Sequence, residues 1–354
     1  MHPVSILNYY SNIPERRTKF EEIIRDMRRC IFNCNIIVKE IHIRSDLPQY
    51  FFIELLDLFK DIENITITEN IKLPLSTLSS LKKLKCVKFH KVFNHKISRG
   101  TIHSLKAVFK KAETLQIHGD WNHLYHNPTI FKIDSTFTNL TTLTIHNPEI
   151  LSSFQVHLPA LVNVEFSKML KLHNIEHNNV VEFFDINLKL KKLSIPECML
   201  SDQVIQSIFK LNNLKYLKVD NSVNQRILRE LNGIENRTIE HLEITDYFCY
   251  EDLKLFFNFC INLKIVEISQ FHTNSNNITE LITRQLIKLL IINPISECYS
   301  FPNLPPSLIE HFSVIKFNDW KQAFEFKKTL STLHDWKFRE DYPDNSRNYC
   351  ITRS

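Results

Sequence analysis

A chain of 354 residues, 43% hydrophobic and 23% charged, has the composition of an ordinary folded protein and the length of two domains or one long repeat array. Lys+Arg 44 against Asp+Glu 39 leaves a net charge of only +5, spread along the chain, which makes nucleic acid an unlikely partner. There are three glycines (Gly100, Gly119, Gly233) where average usage of about 7% would give roughly 25, so every motif with closely spaced glycines is excluded, and with it the usual signatures of dinucleotide-binding, P-loop and α/β-hydrolase enzymes.

The opening Met1–Tyr10 has no basic stretch followed by an apolar core, and no run approaches the roughly 18 apolar residues of a membrane span. The expectation is a cytoplasmic or nuclear protein with no membrane partner. Residues 15–33 predict an amphipathic helix, with Phe20, Ile23, Ile24 and Met27 on one face. A repeat array needs a polar outer cap, and residues 1–35 are assigned that part.

From residue 36 the pattern LxxLxL recurs. The N-terminal copies are Val38/Ile41/Ile43, Ile62/Ile65/Ile67, Leu84/Val87/Phe89, Ala112/Leu115/Ile117, Leu140/Leu143/Ile145 and Leu161/Val164/Phe166. The central ones are Leu190/Leu193/Ile195, Leu214/Leu217/Val219, Ile239/Leu242/Ile244 and Leu263/Val266/Ile268. The last three are Leu286/Leu289/Ile291, Ile309/Phe312/Val314 and Leu333/Trp336/Phe338. The middle residues run from 41 to 336, 295 residues in twelve steps, a period of about 24.6. Each xLxL segment has period 2 and predicts a strand with one buried face.

Several connectors have helical spacing. The segment from Leu47 to Phe59 falls where a first outer helix belongs. Asp202–Lys210 predicts a helix with Ser201 as N-cap. Asn224–Leu231 and Tyr250–Phe257 predict two more, the latter with Glu251 and Asp252 in the first turn, where negative charge suits the helix dipole. One strand and one helix cannot bury an apolar face alone, whereas stacked neighbours can. Phe59, Phe109 and Phe137 each precede a middle residue by six and are assigned to an internal aromatic column. Residues 341–354 are polar and predict a loose tail.

The eight cysteines form no CxxC pair and no zinc spacing, and are expected as reduced, mostly buried thiols. Cys30 and Cys34 could share a helix face but lack two further nearby ligands. No cofactor or metal is predicted, and no elbow, phosphate loop or metal spacing joins the many Ser, His and Asp residues into a catalytic group. The expectation is therefore not an enzyme.

On these residues, above all Leu190/Leu193/Ile195 with Cys198 and Leu200, the chain resembles the leucine-rich-repeat superfamily. It looks most like the intracellular, cysteine-containing type found in F-box substrate receptors. The resemblance covers residues 36–340. It implies an α/β solenoid, a curved horseshoe of about 13 repeats of about 24–25 residues, with parallel concave strands and convex helices. It also implies protein–protein recognition by the concave face. The alternative is a substrate-receptor subunit of a cullin-type ubiquitin ligase, although no F-box is recognisable.

Residues flanking the two apolar strand positions face outward. His90, His118 and His146 follow three successive strands and predict a histidine column, either solvated or able to hold a metal or sense pH. Leu289-Leu290-Ile291-Ile292 fits the template in two registers, and Leu290, Ile292 and Ile315 are the predicted apolar contacts. Tyr216, Lys218, His241, Glu243 and Glu267, with Glu165, Lys192 and Asp220 near them, form the predicted polar contacts.

Overall fold

The computed structural model describes residues 14–34, 37–43, 49–68, 75–90, 108, 110–118, 134–145, 151, 156–166, 177–220, 235–247, 250–270, 289–292, 314–317, 336–341 and 348–353. The chain divides into two compact units, Met1–Phe166 and Ser167–Ser354. Both are α/β.

The first unit opens with helix α1 (Pro14–Cys34), which covers the predicted amphipathic helix. Ile24 is buried and Ile23 and Met27 are half-buried; Phe20's side chain lies outside the described residues. Strand β1 (Glu40–Ile43) follows, then α2 (Gln49–Leu58). Phe51, Phe52, Leu55 and Leu56 of α2 are buried, as the spacing of an outer helix requires. Strands β2 (Asn64–Thr68), β3 (Cys86–His90), β4 (Thr114–His118), β5 (Thr142–Ile145) and β6 (Asn163–Phe166) complete the unit. Neighbours pair in parallel, and the middle residues Ile41, Ile65, Val87, Leu115, Leu143 and Val164 stand in one row. All six are buried.

The second unit contains α3 (His177–Ile186), β7 (Lys192–Pro196), α4 (Asp202–Phe209), β8 (Tyr216–Asp220), β9 (His241–Tyr247), α5 (Tyr250–Phe259) and β10 (Ile265–Gln270). Strands β11 (Leu289–Ile292), β12 (Val314–Phe317), β13 (Trp336–Asp341) and β14 (Asn348–Arg353) end it. From β7 to β12 the pairing is parallel, and Leu193, Leu217, Leu242 and Val266 form the buried row. The predicted cap holds at α4, where the Ser201 side chain accepts a bond from Val204 N at 3.3 Å. The predicted helix at 224–231 lies outside the described residues.

Three expectations change at the C-terminal end. The register aligns Val266 with Leu290 and Ile268 with Ile292, then Leu290 with Ile315 and Ile292 with Phe317. The copies are therefore Ile287/Leu290/Ile292 and Phe312/Ile315/Phe317. The thirteenth copy does not add a parallel strand: β14 pairs antiparallel with both β12 and β13. Residues 348–353, predicted as tail, are that inserted strand. A terminal strand with no successor exposes unpaired backbone groups, and the hairpin satisfies those on β12.

The same joint recurs in both units. In the first unit, Glu63 N and Asn64 N both bond Lys39 O at 2.9 Å, and Lys85 N and Cys86 N bond Glu63 O at 2.8 and 3.0 Å. In the second, Lys215 N and Tyr216 N bond Lys191 O at 2.9 and 3.1 Å, and Glu240 N and His241 N bond Lys215 O at 3.0 Å each. In each of these repeats one carbonyl thus receives two N–H groups as the chain enters the next strand, which satisfies both of those donors. Among the described residues, the position six before a middle residue is buried. It holds Phe59, Leu81, Phe137, Leu158, Asn187, Leu211, Asn236 and Cys260, so the predicted aromatic column is mixed. Phe109 lies outside the described residues.

Candidate recognition face

On each strand of the second unit the residues alternating with the buried row make up the opposite face. Lys192, Tyr216, His241, Ile265 and Leu289 occupy one outward row in register; Ser194, Lys218, Glu243, Glu267 and Ile291 occupy the next. Asp220 pairs in register with Thr245 in a third.

These side chains form one network. The Tyr216 hydroxyl donates to Glu243 Oε2. Lys218 Nζ lies 2.8 Å from Glu243 Oε1 and 3.7 Å from Asp220 Oδ1. The Thr245 hydroxyl donates to Asp220 Oδ1. The His241 ring stands edge-on to Tyr216, with centroids 4.7 Å apart and planes at 87°. Lys192 Nζ sits 6.0 Å from the Tyr216 ring centre, within reach of a cation–π contact. His241 Nε2 lies 2.8 Å from Glu267 Oε1, but this buried nitrogen makes no directed hydrogen bond.

Burial is partial: the side chains of Glu243 and Glu267 are 17% and 19% exposed. Desolvation pushes the Tyr216 phenol well above its ordinary range, and the Glu243 carboxylate that accepts its hydrogen bond adds to the shift. The phenol therefore stays a fixed donor. The arrangement offers a pre-set array of donors, acceptors and one aromatic ring. Among the described residues no three His, Cys, Asp or Glu side chains could hold a metal ion together.

The structure thus brings together Tyr216, Lys218, His241, Glu243 and Glu267, with Lys192 and Asp220. Glu165 is an exposed residue of β6 in the first unit. Leu290 and Ile315, predicted outward, hold register positions in the row of Leu193, Leu217, Leu242 and Val266, and Ile292 in the row of Ile195, Val219, Ile244 and Ile268. Leu289 and Ile291 take the outward rows instead. The side chains of all five lie outside the described residues. His90 and His118 are register partners on β3 and β4; their side chains, and His146 altogether, lie outside the described residues.

Two features went unpredicted. Two residues before the middle position, each unit carries a Lys–Glu–Lys alternation. Lys39 and Lys85 lie 3.2 and 3.1 Å from Glu63, and Lys215 and Lys264 each lie 2.7 Å from Glu240. The lysines hold Glu63 below the usual carboxylate range, and Glu240 at about 2. Aligning the repeats on their middle residues would have shown this alternation. The second is Asn236, which is buried. Its Oδ1 accepts from Thr238 N and Ile239 N at 2.8 and 2.9 Å, and its Nδ2 donates to Phe209 O at 3.0 Å. Its place six residues before Leu242 is the signal in the repeat that could have marked it as buried.

The chain is similar in structure to a leucine-rich repeat-containing protein, LegL7 from Legionella pneumophila, at 13% identity over 77% of this chain and 90% of that one, with a TM-score of 0.46. No family model matches the chain, and no curated protein matches it. No helix among the described residues is long and apolar enough to cross a membrane.

Proposed function

We propose that this chain is a non-enzymatic recognition scaffold of leucine-rich-repeat type that binds a protein partner on the outward face of its parallel strands. Residues 1–35 serve as a cap and the repeats begin at residue 36. The observation that carries the reading is the network at Tyr216, Lys218, His241, Glu243 and Glu267. An aromatic ring and charged groups are held half-buried on a regular sheet face, which is the kind of anchor that interfaces concentrate. By register, Leu289 and Ile291 continue the same two rows with apolar residues, which widens the contact.

The test is affinity capture with mass spectrometry on three proteins: wild type, Tyr216→Ala/Glu267→Lys, and Lys254→Glu on α5 as a control away from the strand rows. The expected result is a partner held by wild type and the control and lost by the double variant, with circular dichroism unchanged in all three. A partner list identical in all three proteins would remove this face from consideration.

A further inference from the structure

Among the cysteines whose side chains are described, Cys86 and Cys198 are half-buried, Cys260 is buried, and Cys30 and Cys34 are exposed, all as free thiols. Burial raises the thiol pKa at Cys86, Cys198 and Cys260, which makes them poor ligands. Cys30 and Cys34 both lie on α1, four residues apart, and so share one helix face with Cβ atoms about 5–6 Å apart. A disulfide needs that separation to be about 3.8 Å. The two thiols cannot close on each other without unwinding the helix, so they stay available as a pair.

We infer that Cys30 and Cys34 form a two-thiol clip for a cuprous ion. Thiolates are soft donors that select Cu(I) and zinc among the biological metals. Zinc in a structural site takes four ligands, and no third His, Cys, Asp or Glu side chain joins these two among the described residues. Cuprous ion is satisfied by two thiolates, and the spacing of one helical turn places one on each side of it. As the two S–Cu bonds form, each thiol releases its proton to solvent and copper remains Cu(I). The loaded clip then carries one net negative charge. Arg29, beside Cys30 in the chain and 3.8 Å from Asp26, supplies a neighbouring cation. This inference stands apart from the recognition face, since α1 belongs to the first unit and the network to the second.

The experiment titrates the full chain with Cu(I), without oxygen, against a coloured cuprous chelator, and reads the copper withdrawn. Wild type is expected to withdraw one more ion per chain than Cys30→Ser/Cys34→Ser. Each single variant should lose that ion's affinity by at least the roughly tenfold that loss of even a supporting group costs a metal site. Equimolar zinc should leave the ion in place. Without any substitution, loaded wild type should also resist alkylation at Cys30 and Cys34 when peptides are mapped by mass spectrometry. Equal uptake by wild type and double variant overturns the clip, as does displacement by zinc or alkylation that copper does not slow.

Discussion

The two units use one backbone scheme and carry different surfaces on it. In the first, the outward rows read Glu40, Asn64, Cys86, Thr114, Thr142, Asn163 and His42, Thr66, Lys88, Gln116, Thr144, Glu165. Most are small or uncharged, and Thr66 and Thr144 are buried there. In the second, the same rows carry Tyr216, His241, Lys218, Glu243 and Glu267, tied into one network. Both keep leucine, isoleucine or valine in the buried row and the doubly bonded carbonyl at each turn. The inward positions are constrained by packing, so they repeat. The outward positions are constrained only by what meets them, so they diverge.

The largest effect should be shared by both units, because it tests what they share. Leu143→Ala in the first and Leu217→Ala in the second each remove a wholly buried side chain and should each cost about 2–5 kcal/mol in chemical denaturation. A loss in only one of them would mean that the two sheets are not equivalently packed. Next in size is Asn236→Leu. It strips Thr238 N, Ile239 N and Phe209 O of their partner and should cost about 1–3 kcal/mol in all, since half-buried Thr238 can turn to water. At the equivalent position of the first unit, Leu81→Asn should destabilise too, since no partner set is built for an amide there.

The outward faces separate further. Tyr216→Phe deletes the phenol that donates to Glu243 and should cost about 1–2 kcal/mol, the range for a bond to a charged group less its partial exposure. Thr144→Val in the first unit should be neutral or stabilising by up to about 1 kcal/mol, because the Thr144 hydroxyl is buried without a hydrogen-bond partner. Comparison of the two midpoints in urea checks both, and a costly Thr144→Val would reveal a bond on that face.

Smallest is the acid limb. Lys215 and Lys264 depress Glu240, so its contribution is complete above its ordinary pKa of 4.5 and fades as pH falls from there toward about 2. The group is partly exposed, so salt should weaken it. Lys215→Gln should flatten that part of the stability–pH curve. A curve unchanged by the substitution would show that the ladder contributes nothing.

The fold was legible wherever apolar residues alternate with polar ones. Ten middle residues, from Ile41 to Val266, stand in their predicted rows, because period 2 leaves one way to bury a strand face. α1, α2, α4 and α5 were legible for the same reason at a period of 3.6. The phase at Leu289–Ile292 was not, because four consecutive apolar residues carry no alternation, and only hydrogen bonding to β10 and β12 selects a register. β14 was missed because a short polar segment becomes a strand only when an open edge exists to receive it. The members of the outward network could be named from the repeat, but not their bonds, which join side chains on three strands, 25 to 27 residues apart in the chain.

The sequence by itself determined the repeat, its spacing and which residues face inward, since burial depends on local pattern. The tertiary structure decided the register of β11 and β12, the closing hairpin, the amide set around Asn236 and the exposure of Cys30 and Cys34. Each of these depends on which partner lies across a gap, and that is a property of neighbouring strands and helices rather than of any one segment.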